Sequence, residues 1–144
     1  MRILGVDPGS RAAGWAVVSF DGPPRLVAAG VLRPDTSTPF AERLLALHDG
    51  LLAVVARERP DEAAVEKVFS GVNPQSLITL GEARGVLLLA LARSALPVAE
   101  VTPAEIKKTV TGTGQAGKEQ VRRMVLSLLG APPGGARLAL DAAD

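Results

Sequence analysis

The chain has 144 residues, which suits one compact domain, and 47% of them are hydrophobic, enough for a substantial core. It contains no cysteine, which excludes disulfides, thiolate metal sites and a cysteine nucleophile, and with 3% aromatics the core must be built from Leu, Val and Ala. A net charge of +1 hides an uneven distribution: between Pro103 and Arg137 six bases (Lys107, Lys108, Lys118, Arg122, Arg123, Arg137) stand against two acids (Glu105, Glu119), a local excess of +4. Such a segment reads either as a phosphate-binding face or as a solvated helix surface. No apolar stretch is read as a membrane span, and Asp7 interrupts the first apolar run too early for a signal peptide, so the expectation is a cytoplasmic, soluble protein.

Residues 2–7 read as a first strand that ends in Asp7 and a Pro8-Gly9 turn. A second strand is predicted over Gly14 to Phe20 and, after the turn Asp21-Gly22-Pro23-Pro24, a third over Arg25 to Leu32. Short strands joined by tight turns predict an antiparallel meander. Trp15 on the second strand reads as a packing residue. Thr38-Pro39 opens a helix, with Thr as N-cap and Pro at the first helical position, and Leu44, Leu45, Leu47, Leu51, Leu52 and Val55 recur at helical spacing up to Pro60. His48, the lone histidine, has no partner histidine and reads as a surface or packing residue.

Glu62 to Glu66 is a fourth strand. It follows a helix, so it is predicted to join the sheet parallel to the first. Asn73-Pro74 starts a second helix running to about Ser94. Its later half is apolar on nearly all sides, which predicts burial on more than one face. Gly81 and Gly85, four residues apart, predict close approach of another element: the sheet alone, or the sheet and a second subunit. Leu96 to Val101 is a fifth strand. Thr102-Pro103-Ala104-Glu105 is a capping box opening a short helix through Val110. A Gly-rich loop, Thr111 to Gly117, leads to a helix over Lys118 to Leu129 with Val121, Met124, Val125, Leu128 and Leu129 on one face. Ala131 to Gly135 breaks it, and a last helical pattern runs from Ala136 to Asp144. The fold class is α/β: a single domain over residues 1–144 with a mixed five-stranded sheet flanked by helices.

Carboxylates mark the ends of these elements. Asp7 closes the first strand and Glu66 the fourth, and the two strands are expected to be neighbours. Asp141 and Asp144 lie three apart on the last helix and so share a face. Alone, Asp7 also reads as a turn residue capping its own backbone, and the Asp141/Asp144 pair as solvent-facing. Together they make an acidic cluster suited to hard divalent cations with oxygen ligands. Two-metal phosphoryl chemistry requires such a cluster, with ions about 3.5–4 Å apart. Gly112 to Lys118 also fits the G-x-x-x-x-G-K pattern of a nucleotide-binding loop. However, Glu119 replaces the Ser or Thr that would hold Mg²⁺, and the preceding residues read as helix rather than strand. A Gly-rich loop with Lys118 at a helix N-terminus remains suited to a nucleic-acid phosphate.

These residues carry a resemblance. Ile3-Leu4-Gly5-Val6-Asp7-Pro8-Gly9-Ser10 with Gly14 resembles the opening of the RuvC Holliday-junction resolvases. Val65-Glu66-Lys67-Val68-Phe69 resembles their second acidic motif, and Leu80 to Val86 the helix that follows. Lys107 to Val110, with Gly112, Gly114 and Lys118, resembles their basic segment, and Asp141-Ala142-Ala143-Asp144 their closing motif. The resemblance covers the whole chain in order, although the first motif alone also resembles the phosphate loop of actin-like ATPases. It implies a ribonuclease-H-like fold and a homodimeric endonuclease that resolves four-way DNA junctions by paired symmetric nicks. Asp7, Glu66, Asp141 and Asp144 match the family's metal-binding catalytic acids, with two Mg²⁺ or Mn²⁺ ions expected per site. Lys107 and Lys118 match its DNA-contacting lysines, and Phe69 an aromatic acting at the junction centre, where such a ring stacks on or wedges between bases; core packing is the other reading of Phe69. The RuvA–RuvB branch-migration machinery is an implied partner. The chain departs from the family by ending at Asp144, where family members continue the last helix, so that helix is expected to be truncated here. Two alternatives stand beside this reading: an RNA nuclease of the YqgF type on the same fold, and a non-catalytic junction-binding module.

Overall fold

The computed structural model describes residues 1–68 and 73–129. Strands β1 (Arg2–Asp7), β2 (Ala13–Ser19) and β3 (Arg25–Leu32) form the predicted antiparallel meander, with a bulge against β3 at Val17/Val18. Helix α1 (Phe40–Glu58) then crosses over to β4 (Glu62–Glu66), which pairs parallel to β1. Helix α2 (Pro74–Arg93) leads to β5 (Val98–Val101), parallel to β4. The sheet order is β3-β2-β1-β4-β5, so β1 and β4 lie at its centre. Helices α3 (Pro103–Thr111) and α4 (Lys118–Leu129) follow and pack on each other.

Alternation along the strands decides which side of the sheet becomes core. Leu4 and Val6 of β1, Val17 of β2, and Ala63 and Val65 of β4 turn to one face. There they are buried against Leu47, Leu51 and Val54 of α1 and Ala83, Leu87, Ala90 and Leu91 of α2. Trp15, paired with Val6, packs on the same core; its ring lies across Gly30 on β3, where an added Cβ would come within 2.7 Å of it, and the Arg57 guanidinium caps the ring at 5.4 Å.

Several local expectations hold. Asn73 caps α2 by accepting from the Ser76 amide at 2.9 Å, with Pro74 at the first helical position. The Thr102/Glu105 capping box is formed in both directions, at 2.7 and 3.1 Å. His48 Nδ1 lies 2.8 Å from Asp49 Oδ1, away from the acidic strand ends.

Other expectations are corrected. Thr38 does not cap α1: its hydroxyl donates to the Asp35 carbonyl at 2.7 Å, closing the preceding turn, and Pro39 takes the N-cap position without a side-chain bond. Strand β5 starts at Val98 rather than Leu96, because Ala95 adopts a left-handed conformation (φ 53°) and the Leu96 amide bonds back to Leu91, which spends these residues on ending α2. Gly81 and Gly85 do not pack on the sheet; nothing lies within 4 Å of a Cβ added at either. They share an outward stripe with Ile78 and Leu89, both more than half exposed. Helix α2 is also long and apolar enough to cross a membrane by length and composition, against the sequence expectation. Its inner face owes that character to the core. On α4, Met124 and Leu128 of the expected apolar face are exposed.

A carboxylate pair at the ends of the central strands

The burial alternation that sends Leu4 and Val6 into the core puts Asp7 on the opposite face, at the last position of β1. On β4, Val65 is buried and Glu66 is turned the same way as Asp7. The parallel register pairs Val6 with Val65, so the next position on each strand is a carboxylate. Gly14 stands directly across from Asp7 on β2 and leaves room for its side chain; a Cβ there would sit 3.7 Å from the Asp7 Cβ. The chain leaves β1 by a turn so tight that a Cβ at Gly9 would come within 2.0 Å of the Ala12 carbonyl oxygen. Backbone on three sides therefore fixes Asp7.

Asp7 and Glu66 lie close enough that each shifts the other's titration. Glu66 is pushed up to about 6, first by desolvation and then by the Asp7 charge and hydrogen bond beside it. Asp7 is also raised, by desolvation, against the opposing pull of the Glu66 hydrogen bond and the Lys118 charge. A cation bound between the two acids would favour their ionised forms and offset the cost of placing them together. Oxygen donors alone, without nitrogen or sulfur, fit a hard divalent ion.

The lysines of the basic segment reach this pair. Lys107, on α3, is near enough to Glu66, and Lys118, at the first position of α4, near enough to Asp7, for each charge to favour the ionised form of its acid. The Gly-rich loop brings them there. Gly112 ends α3 in a left-handed conformation (φ 82°), and Gly114 fits against Ala104 of the same helix. The loop therefore joins two helices, and the nucleotide-loop reading, which requires a preceding strand, does not apply.

Arg84 was missed in the sequence. From the interior of α2 its Nε donates to the Glu66 carbonyl at 3.0 Å, and its guanidinium pairs with Glu100 of β5. It thus ties the end of β4 to both the helix and the neighbouring strand. An arginine inside so apolar a helix was the available signal. Phe69, Asp141 and Asp144 lie outside the described residues. Among the described residues no group of three acids or histidines converges, which leaves Asp7 and Glu66 as the acids seen together.

A mixed five-stranded sheet of this order, with an acid ending each of two adjacent parallel strands, is the ribonuclease-H-like fold. The family described as crossover junction endodeoxyribonuclease RuvC matches residues 3–144. The chain is 53% identical to the crossover junction endodeoxyribonuclease RuvC of Paramagnetospirillum magneticum, over 100% of this chain and 86% of that protein. It is 52% identical to that of Anaeromyxobacter dehalogenans, over 93% and 72% respectively. The structure is similar to Thermus thermophilus RuvC (TM-score 0.83, 32% identity, 99% of this chain and 89% of that one). It is also similar to T. thermophilus RuvC in complex with Holliday junction substrate (TM-score 0.86, 33% identity, 99% and 88%). The chain belongs to the RuvC family of crossover junction endodeoxyribonucleases.

Proposed function

We propose that this chain resolves four-way DNA junctions as a divalent-metal-dependent endonuclease, acting as a homodimer that nicks two strands of like polarity. The observation that carries the reading is the Asp7/Glu66 pair, raised in pKa and flanked by Lys118 and Lys107. In this reading Asp7, Glu66, Asp141 and Asp144 hold the metal, expected as two Mg²⁺ or Mn²⁺ ions. Bound there, a divalent cation supplies Lewis-acid chemistry and lowers the pKa of water. The chain's own residues do the rest. Rigid strand ends fix the carboxylates, and Lys107 and Lys118 draw the phosphodiester toward the acids. Water attacks phosphorus in line and the P–O3′ bond breaks, leaving a 5′-phosphate and a 3′-hydroxyl. Phe69 acts on bases at the junction centre.

The outward stripe of α2 (Ile78, Gly81, Gly85, Leu89) supports a homodimer, since two such helices can approach closely through the glycines. The RuvA–RuvB machinery is a proposed partner on family resemblance, and a cytoplasmic location goes with it. The test compares wild type with Asp7→Asn on a synthetic four-way junction, with and without Mg²⁺ or Mn²⁺, beside a structured RNA. Metal-dependent junction cleavage by wild type alone, with binding kept by both, is expected. Full cleavage by Asp7→Asn sinks the metal-site assignment, and preferential RNA cleavage favours the YqgF-type alternative.

A further inference from the structure

A second polar cleft lies beside the turn that follows Asp7. It has a volume of about 390 Å³ and is lined by Ser10 and Arg11 from that turn, Arg43 from α1, and Gln75, Ser76 and Thr79 from the first turns of α2. Two of the lining residues are arginines and none carries a carboxylate.

Arg43 and Arg11, neither in an ion pair among the described residues, set the character of the cleft. Arg43 has a buried Nε that, among the described residues, has no hydrogen-bond partner. Its guanidinium lies over the Phe40 ring at 5.0 Å, so the aromatic face holds its plane. The Nε has no surface open to the cleft, so the donors that Arg43 can offer a guest are its two terminal guanidinium nitrogens, which are not among the buried unpaired atoms. Arg11 is exposed and makes no ion pair among the described residues, which leaves the cleft with an excess of positive charge. Water would solvate the terminal nitrogens but would leave both charges uncompensated. An oxyanion satisfies donors and charge together.

The neighbours reinforce this. The Ser76 amide is already used by Asn73, and the Thr79 hydroxyl by the Gln75 carbonyl at 3.0 Å. The donors left for a guest are therefore the guanidinium groups, the Gln75 side chain and the Ser10 and Ser76 hydroxyls. That set suits phosphate oxygens.

We propose that this cleft seats one backbone phosphate of the bound DNA, gripped jointly by Arg11 and Arg43. It is a second anchor, built from different elements than Lys107 and Lys118. The inference rests on the junction-nuclease reading, because only a DNA strand already at Asp7 brings a phosphodiester to this neighbouring position.

The test measures junction binding without divalent metal across a salt series, for wild type, Arg11→Gln, Arg43→Gln, the double variant and Lys118→Ala. Loss of one phosphate contact should weaken binding about tenfold near 0.1 M salt and flatten the log–log salt slope by about 0.9. Because one phosphate is shared, the double variant should flatten it by about one contact, not two, and Lys118→Ala should add independently. Inorganic sulfate should raise the thermal midpoint of wild type more than that of the double variant. Arg43→Lys, which keeps the charge but loses the fork, should weaken binding with little change in slope; it and Arg11→Gln carry the test if Arg43→Gln fails to fold. A double variant with the wild-type slope, affinity and sulfate response overturns the proposal and makes the cleft a hydrated one. Failure of wild type to bind the junction at all overturns the nuclease reading instead.

Discussion

The two faces of the central strands obey opposite rules. On one, Leu4, Val6 and Val65 meet Leu47, Leu51, Leu87 and Leu91, all buried, and every neighbour favours the same arrangement. On the other, one residue further along, Asp7 and Glu66 are brought together although the Asp7 charge raises the cost of ionising Glu66. The same register that makes the core consistent makes the rim strained. The difference separates what the sheet needs in order to fold from what it presents to a ligand, because the packing on the first face supplies the free energy that holds the acids together on the second.

The sharpest way to break this comparison is to change each face separately. Glu66→Gln removes an acid and leaves the packing alone. Junction cleavage should fall by about 10³-fold or more while binding and the circular-dichroism spectrum stay as in wild type. Retained cleavage would place the chemistry elsewhere. Leu87→Ala does the reverse. It cuts a hole against the sheet and should cost about 2–5 kcal/mol by urea denaturation, with cleavage per folded molecule unchanged. Arg84→Met tests the seam between the faces. Loss of its bond to the Glu66 carbonyl should lower cleavage about tenfold and raise the metal concentration needed for half-maximal activity, with junction affinity kept. Arg84→Lys should not rescue it, since lysine lacks the fork that serves Glu66 and Glu100 together. A change in junction affinity without a change in metal requirement would make Arg84 a DNA contact instead.

The consistent face was readable before the structure because periodicity reports it. The β1–β3 meander, the parallel β1/β4 pair and the caps at Asn73 and Thr102 all follow from local pattern and turn chemistry, whereas the place of β5 beside β4 was not read in advance. The strained face was readable only in part. Asp7 and Glu66 announced themselves by ending their strands. Arg84 and Arg43 did not, because an arginine on a helix looks solvated until its neighbours in space are known. The same limit explains Thr38, whose hydroxyl could accept from a helix amide or donate to the Asp35 carbonyl, and Gly81 and Gly85, whose open side depends on which face α2 turns inward.

The smallest effect is also the most direct measure of strain at the rim. Glu66 has its folded pKa raised to about 6, above its ordinary value near 4.5, so ionising it costs more in the folded chain than in the unfolded one. Its contribution to stability is therefore fully present below about pH 4.5 and is lost as pH rises through 6. In metal-free protein, Glu66→Gln should then be more stable than wild type at pH 7–8, by about 1 kcal/mol once solvent screening of this half-buried group is allowed for. The gap should close between pH 6 and 4.5. Added Mg²⁺ should invert the order at pH 7–8, since a cation stabilises the ionised pair and finds one ligand fewer in the variant. Thermal midpoints across pH, with and without metal, measure both halves. A Gln variant no more stable than wild type at pH 8 without metal would mean that the two carboxylates do not burden each other in the fold, and that their closeness needs no cation to resolve it.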